Sequence, residues 1–319
     1  MRKILLTSAF ALISATFFSQ VLQNENFNSL NVATIVGQGS PAYDKLNGTN
    51  ADYMVVTSGN ASKGLAITGT ATASGSKYLW KEGLSAAWTA RTAGNNIIQI
   101  EFDFFTGPAS TSNNGGGVEL YGPGYSNYLG GFTMNQSTKT LYGIYTPSDD
   151  TDPTLVNLGT TPVVLPANTW VRLGFAYNSV TGVITFKGPG FNGTVNGHIE
   201  DPIELDYAVQ NLQTTNSASS VTTYDNMIIT AVNAVNLLGT NEAAVKDAGF
   251  AIYPNPTSDF IQIKTKSKIL EVYIYDASGI RTDANLADGK VDVRKLTSGV
   301  YMLGVKTDQG IITQKFIKK

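Results

Sequence analysis

No stretch of this chain keeps an apolar period of 3.6 residues for more than a couple of turns, while short β-branched and aromatic runs recur along most of its length. Helical bundles and parallel βαβ folds are thereby set aside. The runs at 96–105, 121–132, 140–145, 170–177, 183–186 and 221–231 are separated by Gly, Pro or Asn. In 170–177, Val171, Leu173, Phe175 and Tyr177 alternate with Arg172, Gly174 and Ala176, which predicts a strand with one buried face. Residues 178–182 then turn the chain into 183–186 as a hairpin. Roughly 200 residues of this kind predict an all-β fold of two packed antiparallel sheets.

Composition narrows the chemistry. The 319 residues contain no Cys and one His, which removes disulfides, thiolate nucleophiles, Cys-ligated zinc and any site needing two imidazoles. Lys and Arg total 22 against 24 Asp and Glu, so no overall basic field draws the chain to nucleic acid. With 42% hydrophobic residues there is enough apolar material for a core.

The first segment reads as an address. Met1-Arg2-Lys3 gives a positive start, and the apolar run 4–18 is interrupted only by Thr7, Ser8, Ser14 and Thr16. This is the pattern of a secretory signal peptide over 1–19, with cleavage expected near Ser19-Gln20. No later run is long enough to span a bilayer as a helix, so the mature chain is expected to be exported without a transmembrane segment. The absence of disulfides favours a bacterial source over a eukaryotic secretory pathway.

Charge then divides the rest. Residues 20–249 carry 9 Lys/Arg against 17 Asp/Glu, and residues 250–319 carry 11 against 7. The expected organisation is a β-sandwich over 20–238, a polar linker over 239–249 and a separate domain over 250–319.

The last segment carries the sharper motifs. They are Tyr253-Pro254-Asn255-Pro256, a Tyr275-Asp276-x-x-Gly279 turn, Ser298-Gly299-Val300-Tyr301 and the terminal Lys315-Phe316-Ile317-Lys318-Lys319. Their order, spacing and position resemble the type A C-terminal sorting domain of type IX secretion cargo from the Bacteroidetes. The resemblance implies a small immunoglobulin-like sandwich, read by the outer-membrane machinery and removed by its sortase-like peptidase. The cargo is then released or joined to surface lipopolysaccharide. Read from the residues alone, Lys315, Lys318 and Lys319 beside Phe316 and Ile317 make a charged edge strand open to strand addition.

The larger segment has a more diffuse likeness. Residues 168–186, with 25–30 and 224–231 as first and last strands lying side by side, resemble the concanavalin A-like, laminin-G type of jelly roll. Members of that fold bind sugars, adhere to surfaces or hydrolyse polysaccharides, and fold does not choose among them.

Candidate chemistry is sparse. Glu101 and Asp103 share a strand face, as the paired carboxylates of glycoside hydrolysis can. Laminarinase-type hydrolases of the resembled fold add a second Glu, but Phe104, Phe105 and Thr106 stand in its place. His198 has no Gly-x-Ser-x-Gly partner for a catalytic relay. Asp149, Asp150 and Asp152 form an acidic loop with hard oxygen donors suited to Ca²⁺. Tyr121, Tyr125, Tyr128, Phe132, Tyr142 and Tyr145 crowd a segment beginning at Gly115-Gly116-Gly117. Of these, Tyr125 and Tyr128 are least explained by packing, and with Asn127 they are the candidate contacts for a sugar ring. Trp80, Trp88 and Trp170 read as core or sheet-edge residues. The expectation is a secreted or cell-surface protein with a non-catalytic domain that binds carbohydrate or mediates adhesion. The alternative is a polysaccharide hydrolase or lyase with an unfamiliar site.

Overall fold

A computed structural model describes residues 19–58, 62–72, 74–212, 215–238, 250–276, 280–307 and 310–319. All of the signal peptide but Ser19, the whole linker 239–249, and Gly279 of the predicted turn lie outside them.

The larger domain begins with β1 (Ser19–Glu25), β2 (Tyr43–Leu46), β3 (Tyr53–Thr57), β4 (Lys63–Thr68) and β5 (Lys77–Lys81). A short helix α1 (Leu84–Thr89) leads to β6 (Ile97–Phe105), β7 (Asn114–Tyr121), β8 (Tyr128–Asn135) and β9 (Thr140–Tyr145). Next come β10 (Thr154–Asn157), β11 (Val163–Val164), β12 (Trp170–Asn178) and β13 (Val183–Gly188). The domain closes with β14 (Phe191–Asn196), β15 (Glu204–Asn211) and β16 (Val221–Val232). The smaller domain holds β17 (Ala251–Tyr253), β18 (Phe260–Lys264), β19 (Ile269–Tyr275) and β20 (Arg281–Asp283). It ends with β21 (Leu286–Ala287), β22 (Lys290–Asp292), β23 (Gly299–Thr307) and β24 (Gly310–Lys318).

Two eight-stranded antiparallel sheets stack to form the larger domain, a jelly-roll sandwich. Sheet A runs β14-β13-β12-β6-β16-β4-β3, with β1 also on β16; sheet B runs β10-β9-β8-β7-β15-β5-β2, with β11 on β9. The first and last strands are neighbours, as predicted, although the first is residues 19–25 rather than 25–30. Ser19 and Gln20, the expected cleavage point, pair with Val232 and Ala231.

Alternation builds the core. Ile98, Ile100, Phe102 and Phe104 of β6 point inward with Val171, Leu173, Phe175 and Tyr177 of β12. Phe132 of sheet B meets Phe102, Phe175, Phe186 and Phe191 at centroid separations of 5.4–6.2 Å. Tyr224 crosses between the sheets, and its hydroxyl donates to the carbonyls of Gly117 (2.7 Å) and Ala208 (3.1 Å), so its buried oxygen is satisfied. The run read as one segment at 121–132 divides at a single 3₁₀ turn, Pro123–Tyr125, and Gly115–Gly117 belong to β7.

The smaller domain is a second sandwich of two four-stranded sheets, β17-β18-β22-β21 and β20-β19-β23-β24. Its core, including Ile261, Ile274, Val291, Leu303, Val305 and Phe316, is a cluster separate from that of the larger domain. Pro254 and Pro256 flank Asn255 in the turn after β17. Gly299 opens β23, and Tyr301 stacks on Phe316 at 5.5 Å.

The expected open edge is partly closed. Asn255 donates to the Lys315 carbonyl and accepts from the Ile317 N–H, while Thr257 exchanges backbone bonds with Ile317 and Lys319. The edge near Lys315, Lys318 and Lys319 is therefore already capped by the Asn255–Thr257 segment. A segment far away in sequence supplies the cap, which local charge reading does not foresee.

Candidate functional site

The outer face of sheet B gathers most of the unexplained chemistry. On β7, Val118 and Leu120 enter the core, which turns Glu119 and Tyr121 outward. On β15, Leu205, Tyr207 and Val209 enter the core, which turns Glu204, Asp206 and Gln210 outward. Register then sets these side chains in rows. Glu204 lies opposite Tyr121, which lies opposite Tyr128. Trp80, Asp206, Glu119 and Gly131 form the next row, and Tyr78, Ala208, Gly117, Thr133 and Tyr142 the one after. Small residues at 117, 131 and 208 leave a low strip between aromatic flanks.

The tyrosines cluster tightly. Tyr121 lies 4.8 Å from Tyr128 and 5.8 Å from Tyr125, centroid to centroid. Tyr125 is 55% exposed, a large apolar surface left in water with no packing reason. The Tyr121 hydroxyl donates to Glu119 Oε2 at 2.6 Å. Trp80 is half-buried here and donates to Glu82 at 3.0 Å, so it belongs to this face rather than to the core.

Electrostatics mark the same patch. Burial, partly offset by the bond from Tyr121, pushes the Glu119 carboxyl up to about 7. Asp206 is raised as well, first by burial and then by Glu204 and Glu119 beside it. Its Oδ1 is buried without a hydrogen-bond partner. A carboxyl whose folded pKa exceeds its unfolded value holds its proton longer in the folded state. Its stabilising contribution is complete below pH about 4.5 and is lost as pH rises towards 7. Glu119→Gln is accordingly expected to flatten the fall in stability over this window and to gain about 3 kcal/mol at neutral pH. Urea unfolding at a series of pH values measures this, and an unchanged slope counts against the burial of a charge here.

Asn127 is placed differently from its two neighbours. Its side chain donates to Glu200 Oε1 at 2.7 Å, and its carbonyl accepts from the Gly122 N–H. It closes the loop that presents Tyr125 and Tyr128. Asp149, Asp150 and Asp152 lie exposed between β9 and β10, where Asp150 Oδ1 accepts from the N–H groups of Thr151 and Asp152. Among the described residues no three His, Cys, Asp or Glu side chains come together as a metal centre. The His198 ring meets the Asp150 carbonyl at 2.8 Å and pins this loop. Trp88 is buried, donating to Asp201 at 2.8 Å under a stacked Arg91 guanidinium.

Glu101 and Asp103 lie on the other sheet, on the outer face of sheet A, and are not open to a substrate. Asp103 is fully buried between Arg172, Asn226 and residues of the C-terminal domain. Sequence reading missed Glu119 and Asp206 as a pair. Each sits in an ordinary alternating strand, and only the pairing of β7 with β15 makes them neighbours.

Residues 251–319 match the family of secretion system C-terminal sorting domains. This tail is a type IX sorting domain, and it marks the chain for export to the outer surface or the medium. No curated protein matches the chain by sequence. Among solved structures, it is similar to a carbohydrate esterase of Shiga toxin-encoding bacteriophage phi24B, with 16% identity and a TM-score of 0.44 over 67% of this chain and 99% of that one. It is also similar to an alginate lyase from Aplysia kurodai, with 9% identity and a TM-score of 0.44 over 66% of this chain and 98% of that one. A third similarity is to botulinum neurotoxin type C, described as entering cells through two ganglioside molecules. There the identity is 9% and the TM-score 0.42, over 89% of this chain and 72% of that one. Among the described residues no helix is long and apolar enough to cross a membrane.

Proposed function

We propose that the exported sandwich binds carbohydrate through the outer face of sheet B without turning it over. The observation that carries this reading is the exposed Tyr125 ring beside Tyr121 and Tyr128, bordered by the carboxyl groups of Glu204 and Asp206. Sugar C–H faces stack on aromatic rings, and carboxylates accept hydrogen bonds from hydroxyl groups. Glu82 and Glu204 at this edge repel polyanions, which favours neutral or amino-bearing glycans over polyuronates.

A glycan array probed with the full chain and with Tyr125→Ala tests the reading. Tyr125 carries no core packing, so the variant is expected to fold normally and to bind about tenfold or more weakly. Silence of the unaltered chain on every glycan would overturn it.

The raised Asp206 carboxyl opposite Glu119 supports a second reading, a hydrolase or lyase, because a protonated acid beside a second carboxyl can donate a proton to a leaving group. Products released from a polysaccharide would select that reading over simple binding.

A further inference from the structure

The outer face of sheet A is covered, and its cover is charged. A bulge in β16 between Asp225 and Ile228 puts the consecutive residues Asp225 and Asn226 away from the core, where strict alternation would allow one. With Glu101 and Asp103 of β6 they form an acidic face in which Arg172 lies 3.1 Å from Asp103. Such a face, buried alone, would be prohibitively costly.

The sorting domain supplies the complement. In β19 and β23, Val272, Ile274, Leu303 and Val305 point into that domain's own core. The opposite face of the same sheet presents Glu271, Tyr273, Tyr275, Arg281 and Lys306 to sheet A. Arg281 pairs with Asp103 at 3.2 Å, and the Tyr275 hydroxyl donates to the same carboxylate. Lys306, fully buried, reaches Asp225 at 3.1 Å and Ser62 Oγ at 2.9 Å. Arg281 lies 5.6 Å from the Trp170 ring. Where β13 stops short of the start of β12, Ile280 bridges to Val171 and continues the ladder.

We propose that the outer face of sheet A is a docking surface for a cationic β-sheet face, and that its occupant in the intact chain is the chain's own sorting domain. Arg281 on Asp103 and Lys306 on Asp225 are the ion pairs that join the two faces. Asp103 is thus a docking residue, while Glu101 beside it is held within the sandwich by Arg172, Gln99 and the Leu238 N–H. The surface left to the export machinery is the β17-β18-β22-β21 sheet and the uncapped part of β24.

The chain lacks cysteine, so single introduced thiols report docking cleanly. Ser62→Cys lies under Lys306, Val180→Cys is in open solvent, and Val55→Cys is in the sandwich core. In the full chain the Ser62→Cys thiol is expected to react with a maleimide about a hundredfold more slowly than the Val180→Cys thiol. Adding Lys306→Met or the isosteric Asp225→Asn is expected to speed the Ser62→Cys reaction by about tenfold or more, because one buried partner is left unpaired. The Val55→Cys thiol should stay protected in both backgrounds. Lys306 points away from its own domain's core, so that domain keeps its packing in the variant. The proposal fails if the Ser62→Cys thiol reacts as fast as the Val180→Cys thiol in the parent, or if neither charge variant changes its rate. It also fails if the Val55→Cys thiol accelerates equally, since that would be unfolding.

Discussion

Removal of residues 250–319 is expected to leave the protein in the periplasm, with nearly complete loss from the cell surface and medium. The deletion takes away the whole sorting domain, and with it the feature that addresses the chain to the type IX machinery. The sandwich should still fold, because its core, from Phe27 to Ala231, draws no residue from the tail. It would nevertheless lose Arg281 and Lys306 as partners of Asp103 and Asp225. Asp103 keeps Arg172, and the carboxyl groups uncovered would be rehydrated once the cover is gone, so the cost is smaller than that of breaking the pairs while covered. Cell fractionation with a spheroplast control measures the outcome. Surface display at the level of the intact chain would contradict the assignment of the tail as the export signal.

Gly117→Ala is the point substitution expected to be most damaging. A Cβ at this position would stand 1.7 Å from the Phe132 carbonyl oxygen and 2.6 Å from its carbon, both backbone atoms of the neighbouring strand. β7 is held between β8 and β15, so neither strand can give way without breaking a ladder. A clash with backbone cannot be relieved by a rotamer, and the expected loss is about 3–5 kcal/mol, a large share of the stability of an ordinary domain. Gly190 is the comparison. Its φ of +76° strains an alanine, yet nothing lies within 4 Å of the added carbon, and the cost should be about 1 kcal/mol. Urea denaturation of the two variants measures the difference. A Gly117→Ala protein as stable as the Gly190→Ala protein would refute the close approach of β7 and β8. Because Gly117 lies in the low strip of the aromatic face, the same substitution should also abolish glycan binding.

Local pattern was enough for much of the molecule. Alternation at Val171, Leu173, Phe175 and Tyr177 identified a strand and its buried face, since a pleated strand has only two sides. The motifs around Pro254, Asn255, Pro256, Gly299 and Tyr301 identified the sorting domain because they are carried within one short stretch. Tyr125 and Tyr128 stood out for the same reason: their loop offers no apolar periodicity to absorb them.

Relations between distant strands were another matter. Asp206 and Glu119 are 87 positions apart, and no local period says that β15 pairs with β7 so that the two carboxyls face each other. Glu101 and Asp103 look the same in sequence whether their face meets a substrate, water or another domain. The tertiary structure decided that Asp103 meets Arg281 and Tyr275, residues from the far end of the chain, whereas Glu101 meets Arg172 and the Leu238 N–H. Alternation is a property of neighbours along the backbone and can be read from composition at positions i and i+2. Pairing, register and domain docking depend on which surfaces are buried against each other, and only the folded chain establishes that.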